Sequence, residues 1–126
     1  MAQARGTFTV QLRPVEGEPE GLGRFELDKV FVGELAGTSR GVMLSAGDPA
    51  TGSAGYVVIE VVDAQIGGHT GRFALQHSGT MHGGAPDLTI TVVPGSGSGD
   101  FAGMEGTFTL DVVDGSHHYL LDYSLA

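Results

Sequence analysis

Among the ionisable residues of this chain, Glu60 and His77 stand in the surroundings best suited to moving a proton. Gly67-Gly68 closes a two-residue hairpin pairing Ile66 with His69, and counting outward sets Asp63 opposite Arg72, Glu60 opposite Leu75 and Val58 opposite His77. The opposite charges of Asp63 and Arg72 support that register. One face of the hairpin then carries Tyr56, Val58, Glu60 and Val62 beside Phe73, Leu75 and His77. A carboxylate among Val, Leu and Phe loses hydration, which raises its pKa and readies it for proton transfer near neutral pH; a neighbouring imidazolium opposes that rise. Glu60 is therefore the expected acid or base, with His77 as its partner.

A second hairpin, closed by Asp114-Gly115 with Ser116, pairs Asp111 with His118 and Leu110 with Tyr119. It brings Tyr119 and Tyr123 onto the same kind of face, across from Phe108 and Leu110. Phenols donate hydrogen bonds to a developing oxyanion or a ligand carbonyl, so Tyr56, Tyr119 and Tyr123 are the expected orienting groups. Val58, Phe73, Leu75, Met43 and Phe108 are the expected apolar contacts of a small hydrophobic ligand, with the facing of Met43 and Ser45 left open. Asp28 and Lys29 are adjacent on a strand and point to opposite faces, so one is expected inward and paired, the other solvated. A plainer reading uses the same residues: Glu60 anchors a structural network, His77 is a satisfied core histidine, and the tyrosines are core aromatics with wet tips.

The elements that position these side chains are strands. Glycine is spread so evenly that no interval free of Gly and Pro accommodates a long helix. Inside the intervals the period is two: Phe8, Val10 and Leu12 alternate with Thr7, Thr9 and Gln11, and Phe108, Leu110 and Val112 alternate with Thr107, Thr109 and Asp111. Such runs occur at 5–13, 23–35, 38–47, 54–66, 69–81, 86–94, 105–113 and 117–125. Ala36-Gly37 is read as a third hairpin turn, placing Asp28 opposite Ser45. Antiparallel strands with one apolar face and no covering helix must bury that face against itself, which predicts an all-β fold: a single eight-stranded antiparallel barrel spanning 1–126. Strand 54–66 is apolar on both faces, since Val57, Ile59 and Val61 oppose the inward set, and this predicts a homo-oligomer, dimer or tetramer, joined through it.

Composition excludes several functions. The chain has 126 residues and a net charge of −9, from 6 basic and 15 acidic side chains, so phosphate backbones and anionic lipid repel it and neither nucleic acid nor membrane is an expected partner. Without cysteine there is no disulfide frame or thiolate nucleophile. The opening residues alternate and lack an apolar h-region, which predicts a cytoplasmic protein without a signal peptide.

Three motif-like features fail on context. Gly37-Thr38-Ser39-Arg40-Gly41 spells the hydrolase elbow, but a strand follows the serine where that motif needs a helix. The run Gly95 to Gly99 fits no phosphate-binding pattern and reads as a flexible loop or lid, with a single 3₁₀ turn at 100–104. The five histidines lack ligand spacing, so no metal and no cofactor are expected.

The segments FELDKVFVGELAGTSRGVMLSA, GSAGYVVIEVVDAQIGGHTGRFALQHSGTM, LTITVVP and HHYLLDYSL, in that order, resemble the bacterial domain-of-unknown-function 3224 family, itself similar to the allene-oxide-cyclase-like barrels. The resemblance implies an eight-stranded antiparallel barrel that self-associates and holds an apolar, reactive molecule while steering its folding. It carries no catalytic residue onto a matching position here. The expected function is thus binding of a small hydrophobic molecule in the lumen, with isomerase or cyclase chemistry assisted by Glu60. Its alternatives are a non-catalytic carrier or sensor and a structural oligomer with a filled barrel.

Overall fold

A computed structural model describes residues 1–125. The alternating runs form strands β1 (Ala2–Pro14), β2 (Gly23–Gly33), β3 (Leu35–Asp48), β4 (Ser53–Ile66), β5 (His69–His82) and β6 (Ala85–Val92), followed by the two-residue β7 (Ser98–Gly99), β8 (Glu105–Val113) and β9 (Ser116–Ser124). Neighbours pair antiparallel in the order β4-β3-β2-β1-β9-β8-β6-β5, and pairing of β4 with β5 closes the barrel, while β7 lies along β5. Among the described residues no helix is long and apolar enough to cross a membrane.

Two hairpins take the register their turn residues dictate. Ile66 faces His69, Asp63 faces Arg72, Glu60 faces Leu75 and Val58 faces His77. Asp111 likewise faces His118, and Leu110 faces Tyr119. The third does not turn at Ala36-Gly37. The chain reverses earlier, at Gly33 and Glu34, so Asp28 faces Arg40 instead of Ser45. Gly33 adopts φ 113, a conformation that few other residues tolerate. The turn is fastened from β9: Tyr119 Oη accepts from the Leu35 N–H at 3.1 Å and lies 3.0 and 2.8 Å from the carbonyls of Val32 and Leu35, which share its single proton. An odd displacement of register turns a strand over. Moving Asp28 from Ser45 to Arg40 is such a displacement, and it sets Lys29 opposite Ser39, with both side chains inward and buried.

The barrel is packed at one end only. Phe31, Leu35, Val62, Phe73, Phe108 and Leu121 are all within 2% of complete burial there. The segment 95–104 is no lid. Ser96 Oγ accepts from the Ala74 N–H at 3.0 Å and donates to the Val93 carbonyl at 2.7 Å, and β7 pairs with Gly71 and Arg72. Asp100 receives the Thr70 N–H at 2.9 Å. These bonds seat Phe101 and Met104, 0% and 1% exposed, as a plug whose phenyl ring meets Phe73 edge-on at 5.5 Å. Composition suggests mobility because glycine and serine dominate the segment, but two apolar side chains anchor it.

Candidate functional site

The inward row midway along the barrel is polar. Glu60 on β4 is 0% exposed, Ser39 on β3 2%, His77 on β5 4% and Lys29 on β2 6%. Lys29 Nζ donates to Glu60 Oε2 at 2.8 Å and Ser39 Oγ donates to Oε1 at 2.8 Å. His77 Nε2 lies 2.6 Å from the same Oε2, a close contact whose N–H direction is not aligned as a hydrogen bond. The strands come this close because β3 is bare here: a Cβ on Gly41 would stand 2.7 Å from Glu60 Cβ and 2.5 Å from the Ile59 carbonyl. Serine 39 belongs to this cluster through strand alternation, not through any nucleophile elbow.

Burial is the largest single influence on the Glu60 carboxyl and pushes its pKa up; contact with His77 and the charge and hydrogen bond of Lys29 act the other way and together prevail. The carboxyl is therefore held below its ordinary range. Apolar surroundings alone predict a raised value, and that expectation is corrected by His77 together with the buried Lys29 cation, the latter brought into place only by the β2–β3 register.

Above this layer the barrel is open. A cup of about 270 Å³ is walled by Val10, Leu12, Leu27, Met43, Val58, Leu88 and Leu110, with Tyr56 and His117 at its sides. Lys29 and His77 form its floor with Phe8; Glu60 lies beneath them and does not line it. Lys29 Nζ sits 4.9 Å from the centre of the Phe8 ring, against which His117 stacks at 5.0 Å. Burial raises the Tyr56 pKa, so its hydroxyl stays a donor over a wide pH range. A second hollow of about 300 Å³ at the rim, walled by Pro49, Ala54, Met81 and Pro86, shares Tyr56 and Leu88 with the cup. A larger groove of about 530 Å³ outside the barrel is lined by exposed main chain and the Asp63–Arg72 ion pair, with no buried polar group to recognise a ligand.

Of the residues expected around a ligand, Tyr56, Val58, Met43 and His77 meet in the cup. Phe73, Leu75, Phe108, Tyr119 and Tyr123 do not: they point inward but lie in the packed end, below the polar layer, where Phe101 and Met104 fill the space. Tyr119 Oη holds the turn at Val32 to Leu35; burial, outweighing its backbone bond to Leu35, raises its pKa. The cup also takes in Phe8, Val10, Leu12, Leu27, Leu88 and His117, which the sequence reading does not name as ligand contacts, while Ser39 lies in the layer beneath. The alternation of Phe8, Val10 and Leu12 is a legible signal for the first three, and Lys29, the single lysine, falls in phase with Leu27 and Phe31. Among the described residues, no three of His, Asp or Glu converge as metal ligands.

Fold and site together define a class: a closed antiparallel β-barrel, solid at one end, whose other end is an apolar cup over a buried ion cluster. The family described as Protein of unknown function (DUF3224) matches residues 4–123, and the chain belongs to it. It is similar to a protein with unknown function from the DUF3224 family of Shewanella oneidensis MR-1, whose crystal structure shares 41% identity and superposes with a TM-score of 0.94, covering 100% of this chain and 98% of that one. No curated protein matches the chain.

Proposed function

We propose that the open end of the barrel binds one small hydrophobic molecule and places its polar end against Lys29 and His77. The observation that carries this reading is the cup itself: an apolar wall around about 270 Å³, ending on a layer of buried polar groups. Sites for small ligands pair an apolar lining with a few placed polar groups in this way. The resemblance to allene-oxide-cyclase-like barrels supports a further step, isomerisation or cyclisation without a cofactor. In that chemistry His77 is the proton-transfer group at the ligand, and Glu60 is a positioning residue that holds the imidazole. Exclusion of water and fixed orientation supply the rest of the rate.

Native mass spectrometry of protein purified from its own host tests the binding reading. The wild type is expected to retain a small molecule, and Val58→Trp, which fills the cup, is expected to lose it. Equal retention by both places the molecule elsewhere and removes the reading.

We also propose that a second copy docks on the outer face of β4. Val57, Ile59 and Val61 are 50%, 50% and 46% exposed there, and Val42 on β3, which faces Ile59 across the pairing, is 49% exposed. Rows of this kind are uncommon on a monomer's surface. Light scattering after size exclusion is expected to give a dimer or tetramer at micromolar concentration, and Ile59→Asp a monomer. A monomeric wild type overturns the proposal.

A further inference from the structure

We propose that the cup is a receptor for the carboxylate of an amphipathic acid, its head on Lys29 and His77 and its hydrocarbon body running up the wall and over Tyr56 into the hollow at the rim. The proposal rests on the ligand-binding reading above and names the class of ligand.

Charge is the first argument. In a chain with 15 acidic and 6 basic side chains, no carboxylate lines the cup, whereas the single lysine and two of the five histidines do. Hydrogen-bonding capacity is the second. An ammonium has three N–H donors. Glu60 Oε2 takes one from Lys29, and Ser39, the hydroxyl nearest at hand, is committed to Oε1 instead. At 6% exposure the side chain that carries the remaining donors meets solvent only by way of the cup. Buried donors call for acceptors. His77 adds to the same demand, because its Nε2 is buried without an aligned partner and shares one carboxylate oxygen with Lys29.

A neutral carbonyl offers one acceptor atom; a carboxylate offers two oxygens, enough for both side chains, in charge-assisted bonds. Orientation follows from the rim. Asp87 is the one acid among the residues lining the outer hollow, where it repels a carboxylate, while Pro49, Ala54, Met81 and Pro86 suit a hydrocarbon tail. The cup of about 270 Å³ and the hollow of about 300 Å³ together fall within the usual range for a small-ligand site.

Calorimetric titration of the wild type with hexanoate, octanoate and decanoate, beside octanol and methyl octanoate, tests this. Octanoate is expected to bind at least about tenfold tighter than octanol, the difference of one charge-assisted bond. Each added methylene is expected to gain about threefold to fourfold until the hollow is full. The paired variant Lys29→Met/Glu60→Gln, which removes both charges together, should lose the preference for octanoate over octanol. Should that variant not fold, nuclear Overhauser contacts in the wild type decide: the terminal methyl of decanoate is expected beside Met81. Octanol binding as tightly as octanoate overturns the carboxylate and leaves the cup as a site. A terminal methyl found at Val58 overturns the head-inward orientation. Failure of every probe to bind overturns both this proposal and the ligand-binding reading on which it stands.

Discussion

Lys29→Met is expected to destabilise the barrel by about 3–5 kcal/mol in denaturant unfolding, because it leaves the wholly buried Glu60 carboxylate without its cation. The size of the loss measures the orphaned charge, not the worth of the pair, since a buried pair gains in attraction roughly what it forfeits in hydration. The second half of the experiment follows from that distinction. Replacing both members, as Lys29→Met/Glu60→Leu, is expected to restore most of the lost stability. Acidity separates the variants further. In the wild type Glu60 titrates below its ordinary value of 4.5, so the folded state holds that proton less readily than the unfolded chain. Its contribution is fully present above the unfolded value and is lost as pH falls through the folded one. Without Lys29, the upward push of burial loses its main opposing charge, and protonation relieves the folded state. The gap between wild type and Lys29→Met should therefore narrow as pH falls towards 4.5. A gap below about 1 kcal/mol at neutral pH, or one unchanged by acid, removes the ion cluster as a determinant of stability.

Phe101→Ala is expected to cost a similar amount, about 3–5 kcal/mol, by emptying the space against Phe73 at the packed end. Its second effect is local. With Phe101 gone, Met104 and the Ser96 bonds are left to hold the segment, and the bonds that β7 and Asp100 make to Thr70, Gly71 and Arg72 lose their nearest support. Hydrogen exchange at the amides of 70–72 and 98–101 should accelerate well beyond the change in global stability, while binding in the cup, on the far side of the polar layer, is retained. A loss under about 1 kcal/mol would mean that the segment is merely draped over the barrel end.

Both predictions concern residues whose importance the linear pattern conceals. Whether Asp28 or Lys29 is the inward, paired member of β2 stays open until the reversal at Gly33 and Glu34 is known, because a turn drawn at Gly37 gives β3 the opposite facing. Tyr119 fixes that reversal from the far end of the chain, 84 residues away from Leu35. Glu60 was legible as the acid among apolar neighbours, since a two-residue glycine turn and the Asp63/Arg72 match leave its hairpin one register. Its protonation was not, because the opposing cation arrives from a strand two places across the sheet. Phe101 is hidden by the run of five glycines and serines at 95–99, one residue before it.

What the residues determine unaided is therefore the local part: which segments are strands, which side chains within a strand share a face, and that eight such faces must close on themselves. Alternation with a period of two and glycine at reversals are properties of neighbouring residues, and they act before any long-range contact forms. Which inward side chains stand at the same height was decided by closure alone, since that depends on the stagger between strands distant in the chain. For this reason Phe73, Phe108 and Tyr123 share a face with Val58 and Met43 yet lie in the solid end, and the single lysine lies under the cup.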